Sequence, residues 1–172
     1  MESATYIHPA PALARQIHRL LWMSVGFSLV ALAFSMVTLG EVSLWITPSA
    51  FVFGISHNIT LLVRSAKERK QTAQARVGKL PATATKASII CSWILVVGWC
   101  GAVATLIVFA VILRGDNDFP VLWQIIPWFE CAFAIFEAVT LITLAVMCKR
   151  ERHAVAGNAN TAKWYQLGAY HV

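Results

Sequence analysis

The sequence predicts an all-α protein, a four-helix transmembrane bundle with both termini cytoplasmic and short extracytoplasmic turns, and three observations carry that prediction. Of the 172 residues, 58% are hydrophobic and only 13% are charged; with a mean hydropathy of +0.66, this is too apolar for a soluble domain of this size. The apolar residues are gathered into four blocks, each near the roughly 20 residues that about 30 Å of hydrocarbon requires of a helix. The basic residues fall almost entirely at alternate ends of those blocks.

Residues 1–19 form an N-terminal cytoplasmic segment. The first span, LLWMSVGFSLVALAFSMVTL, covers 20–39. Its apolar stretch exceeds the roughly 7 to 15 residues of a signal-peptide core, and no small-x-small cleavage site follows before Glu41, so it reads as a retained helix. After Gly40 and Glu41 the second span occupies 42–63. A basic cytoplasmic loop, 64–87, leads to the third span at 88–113. RGDNDFP then turns the chain into the fourth span, 121–147, and a tail rich in Ala, Asn, Gly and charge, 148–172, is expected to be disordered. Pro48 and Pro127 sit inside the second and fourth spans and mark candidate kinks.

Orientation follows from Lys and Arg, which stay cytoplasmic near span ends. Arg15 and Arg19 precede the first span; Arg64, Lys67, Arg69, Lys70, Arg76, Lys79 and Lys86 lie between the second and third; Lys149, Arg150, Arg152 and Lys163 follow the fourth. Only Arg114, beside Asp116 and Asp118, lies opposite. Trp22, Trp45, Trp123 and Trp128 fall near span ends as an interfacial belt, whereas Trp93 and Trp99 lie deeper and are expected between helices.

Membrane helices associate through small residues and a few interhelical hydrogen bonds. Ser24, Ser28, Ala31 and Ser35 recur on one stripe of the first span, and Gly98, Ala102 and Thr105 form a candidate stripe in the third. Both are read as bundle contacts.

Two ionisable residues stand out. Glu130 and Glu137 are one heptad apart, on nearly one helical face and about 10 Å apart along the axis. The second and fourth spans run in the same direction, so His57 and Glu137 fall at matching depth, with Asn58 alongside. A lone carboxylate in hydrocarbon costs several kcal/mol, and pairing with His57 lowers that cost. The expectation is a coupled Glu137 and His57 pair inside a polar cluster of Glu130, Glu137, His57 and Asn58, acting as a register-fixing contact or, alternatively, as a proton or cation relay.

Other signals are weaker in chemistry. The four cysteines, Cys91, Cys100, Cys131 and Cys148, offer no exterior disulfide framework. Cys148 and Cys91 have juxtamembrane placement suited to S-palmitoylation. The scattered histidines provide no metal spacing, and GDND carries too few carboxylates for a calcium loop. Asn58-Ile-Thr matches the glycosylation acceptor pattern, but its place within a span leaves it unmodified. The basic loop lacks aromatic residues to stack bases, so nucleic acid is not an expected partner; Lys67, Arg69, Lys70, Arg76 and Lys79 suit contact with anionic lipid.

There is no nucleophile with its base, no phosphate-cradling glycine loop and no metal cluster, so neither an enzyme nor a cofactor is expected. In span count and topology the chain resembles MARVEL-type and tetraspanin-like membrane organisers, though it lacks the large cysteine-bearing outer loop of tetraspanins. That resemblance implies a non-enzymatic organising or interaction protein, with lipid, partner membrane helices or further copies of itself as partners. The alternative is a small transporter or channel subunit using Glu130, Glu137 and His57.

Overall fold

Hydrocarbon offers no hydrogen-bond partner to a backbone, so each apolar block satisfies its own amides and carbonyls by winding into a helix. The computed structural model describes residues 11–70, 80–113 and 121–168, with side chains described within 12–70, 80–112 and 121–155. Four helices result: α1 (Pro11–Val37), α2 (Ile46–Arg69), α3 (Lys86–Leu113) and α4 (Val121–Gly168), with a short 3-10 turn at Ala82–Ala84 before α3. All four are long and apolar enough to cross a membrane, as in a multi-pass membrane protein. Residues 1–10, the turn with Arg114, Asp116 and Asp118, and the loop positions Arg76 and Lys79 lie outside the described residues.

The buried positions explain why the helices pack. One seam runs along Ile17, Leu21, Ser24, Ser28, Ala31 and Ser35 of α1 and on to Thr38 in the turn that follows, and another along Glu130, Ala134, Glu137, Leu141, Leu144, Cys148 and Glu151 of α4, none more than 2% exposed. Both series step alternately by four and three, the 3.5-residue period that keeps one seam facing a partner along a gently supercoiled bundle. In α3 the corresponding face is Ser88, Ser92, Leu95, Trp99, Ala102 and Leu106. Of the expected stripe Gly98, Ala102 and Thr105, only Ala102 is buried. Gly98 faces open space, and the Thr105 hydroxyl bonds back to the Gly101 carbonyl of its own helix. Trp99 is fully buried, its indole over Gly54 of α2, but Trp93 is exposed on the outer surface.

Helices adjacent in sequence pack side by side, and α1 closes the ring against α4, leaving α2 and α4 on a diagonal. Phe27 meets Phe136, and Phe34 stacks on Phe129 and Phe133, so α1 and α4 run antiparallel along an aromatic seam. Hydroxyls on the outer surface, such as Ser56, Thr60 and Thr143, donate to carbonyls four residues back and present no unsatisfied proton to lipid.

Three differences from the sequence reading bear on the architecture. Helix α1 begins at Pro11, nine residues before position 20, because Ile17 continues the buried seam. Helix α2 begins at Ile46 rather than 42, which puts Pro48 in the first helical turn, where its missing N–H breaks no ladder bond; Pro127 is the proline inside a helix. Residues 38–45 instead form two successive turns. Gly40 N–H bonds the Ser35 carbonyl and Leu39 N–H that of Met36, then Trp45 N–H bonds Gly40 and Leu44 N–H bonds Glu41. These are two helix-terminating motifs in tandem, with Leu39, Gly40, Leu44 and Trp45 all at positive φ.

The third difference is the tail. Helix α4 does not stop at Met147 but continues unbroken to Gly168, so the expected disorder from Cys148 onward does not hold for the backbone of 148–168. The segment contains no proline, and Glu151, one more heptad step along the stripe of Glu137 and Leu144, is tied into the bundle. The basic loop is also partly built: Arg64, Lys67 and Arg69 ride on the last turns of α2, and residues 82–84 are buried.

Candidate functional site

Two polar layers sit inside the bundle, one about each intramembrane glutamate. In the first, Asn58 of α2 donates from Nδ2 to Ser24 Oγ of α1 at 2.7 Å, and the Ser24 hydroxyl donates to Glu137 Oε1 of α4. All three residues are fully buried. The serine has to be there: it both accepts and donates, so it relays between an amide donor and a carboxylate acceptor that have no direct contact. Glu137 Oε2 and Asn58 Oδ1 have no partner among the described residues.

The second layer lies nearer the 38–45 turns. Glu130 is fully buried and neither carboxyl oxygen has a hydrogen-bond partner. Around it stand the hydroxyls of Thr47, Ser35 and Ser43. Ser43 donates to the Gly40 carbonyl at 3.2 Å and shares a 3.3 Å contact with Ser35 Oγ; the Thr47 hydroxyl has no partner. Among the described residues, no basic side chain acts on either glutamate.

His57 does not join them. It turns away from the bundle axis, its Nε2 3.2 Å from Ser92 Oγ of α3, and lines a lipid-side groove of about 190 Å³ with Phe53, Cys91, Ile94 and Leu95. The expected Glu137 and His57 pair is therefore absent. Equal depth does not make two residues neighbours when their helices occupy opposite corners, and position 57 points one residue's rotation away from the inward-facing Asn58.

A third polar arrangement closes the end of the bundle where the basic residues gather. Glu68 accepts from the Ala82 N–H at 2.9 Å, and Glu151 accepts from the Thr83 hydroxyl, strapping the segment before α3 onto α2 and α4. Beside this strap lies a cavity of about 120 Å³ lined by His18, Leu21, Glu68, Arg69, Thr83 and Glu151. Arg15, Arg19, Arg64, Lys67, Arg69 and Lys70 are not buried and fringe this end.

The remaining candidates separate by burial. Cys148 is fully buried, which takes its thiol away from any acylating enzyme, whereas Cys91 is exposed on the groove. Asn58, committed to Ser24, presents no amide for a glycan. No group of three or more His, Cys, Asp or Glu side chains comes together among the described residues. Sequence reasoning missed Thr47 and Ser43 as companions of Glu130, and Glu151 as a buried carboxylate; the seven-residue spacing of 130, 137, 144 and 151 was the signal for the last.

No protein-family model matches this chain, and no curated protein or solved structure matches it.

Proposed function

We propose that this protein is a non-enzymatic membrane organiser or interaction protein, whose working surfaces are its lipid-facing helix sides and its basic end. The observation that carries the reading is the complete burial of Glu130 and Glu137 between packed helices. Neither of the two hollows described above reaches them. A conducting path needs water or a chain of titratable groups from one face to the other, whereas Asn58, Ser24 and Glu137 form a cross-link perpendicular to such a path. In this account the polar layers fix which helix faces meet, a use to which buried polar groups are well suited in an environment where apolar contacts alone discriminate poorly.

The basic fringe supplies the second half of the proposal. Lys67, Arg69 and Lys70 project from the end of α2, and each basic residue close to an anionic leaflet contributes about 1 kcal/mol of attraction. That favours the cytoplasmic placement of this end and contact with acidic lipid headgroups, with further membrane helices or copies of the chain against the apolar sides.

The second reading, a small transporter or channel subunit, is favoured by Glu130, whose two unpartnered oxygens are unusual in a purely structural layer. Flux decides between them. Purified protein in liposomes, assayed for proton and cation movement, is expected to conduct no more than protein-free vesicles. Flux abolished by Glu137→Gln at matched incorporation would overturn the organiser reading.

A further inference from the structure

The surroundings of Glu130 point to a ligand. The Ser43 hydroxyl donates to the Gly40 carbonyl at 3.2 Å, and Ser35 and Ser43 share a 3.3 Å contact in which either can donate. Both serines thus have hydrogen-bond partners other than Glu130, and each keeps lone pairs for a further partner. The Thr47 hydroxyl has no partner. Two carboxylate oxygens and three hydroxyl oxygens, from α1, α2, α4 and the intervening turn, are thus gathered at one buried position.

We propose that this group of oxygens is a binding site for one small monovalent cation of the sodium type, coordinated by the Glu130 carboxylate with the hydroxyl oxygens of Thr47, Ser35 and Ser43. Hard cations take oxygen ligands of this kind, carboxylate and neutral together. A single carboxylate matches a single positive charge, and no basic side chain among the described residues supplies one. A bridging water would satisfy hydrogen bonds but would leave the charge uncompensated in a region of low dielectric. The ligands come from separate elements, and Ser43 lies within the tandem turns. Bound cation would therefore pin the α1 to α2 connection onto α4. The inference stands apart from the organiser reading, since a pinned structural ion requires no conduction.

The test is thermal unfolding of the purified full-length protein in detergent, followed by tryptophan fluorescence, with sodium chloride exchanged for choline chloride at constant ionic strength. Wild type is expected to gain a saturable increase in Tm of about 5 °C in sodium. Thr47→Val and Glu130→Gln should lose that response, while Glu137→Gln keeps it. In choline, Glu130→Gln should unfold at a higher temperature than wild type, because it removes the uncompensated charge. A wild-type Tm indifferent to the exchange would show that a proton or a water closes the site and would overturn the proposal. So would a sodium response that survives in Glu130→Gln. If Glu130→Gln does not fold, the wild-type exchange and Thr47→Val decide the matter alone.

Discussion

Ser24→Ala removes one oxygen atom from the middle of the bundle and with it two hydrogen bonds, from Asn58 and to Glu137. Each lost partner leaves a residue already short of one: Glu137 Oε2 and Asn58 Oδ1 are unpartnered before the change. Interhelical hydrogen bonds in membranes average about 0.6 kcal/mol and reach about 1.7, so two of them at a fully buried site amount to about 1 to 3 kcal/mol, with about 2 expected. Ser28→Ala is the matched control. It makes the same chemical change one turn away at equal burial, but the Ser28 hydroxyl bonds only the Val25 carbonyl of its own helix; its loss should cost no more than about 0.5 kcal/mol. Unfolding in mixed micelles of increasing denaturing detergent, read by tryptophan fluorescence, measures both. A double-mutant cycle of Ser24→Ala with Glu137→Gln should give a coupling of about 1 kcal/mol. If Ser24→Ala and Ser28→Ala fall within about 0.5 kcal/mol of each other, the relay is not made, and the reasoning from it fails.

Three further outcomes follow from the same geometry. Leu44 is exposed yet held in the left-handed region, so Leu44→Gly should raise stability by about 1 kcal/mol, whereas Gly40→Ala, whose new Cβ would meet Pro48 at 3.3 Å with φ at +76, should lower it; the same unfolding assay reads both. Glu151→Ala frees the Thr83 strap, and trypsin should then cut between α2 and α3 several-fold faster in limited proteolysis. A lipid-soluble maleimide should label Cys91 but neither Cys131 nor Cys148 in folded protein, and any palmitate found by acyl exchange should disappear in Cys91→Ser and persist in Cys148→Ser.

The four helices were legible because the bilayer imposes a rule readable residue by residue, the length of apolar chain needed to cross it. The α1 seam was also visible, since Ser24, Ser28 and Ser35 stand out as small polar positions among Leu, Val and Phe. The α3 seam was not, because in a helix apolar all round Gly98 and Thr105 look as suitable as Ser88 and Ser92, and only the position of the neighbours decides. Helix ends misled for a related reason. Hydropathy stops at Met147, but helical hydrogen bonding does not need hydrocarbon, and Glu151 anchors the next turns. At the site, the periodicity of Glu130 and Glu137 placed both on one face correctly, yet depth alone could not choose between His57 and Asn58, adjacent residues that point to different sides of α2. The relay through Ser24 depends on three helices at once and is not encoded in the spacing of any one.

The arrangement of that relay is the claim on which the rest depends, and short bifunctional thiol cross-linking in a background lacking the four native cysteines tests it most directly. Cysteines at 24 and 137 should cross-link readily in membranes, and those at 57 and 92 likewise, while the pair at 57 and 137 should not. Efficient cross-linking of 57 to 137, with little between 24 and 137, would place His57 against Glu137 in the core and contradict the account.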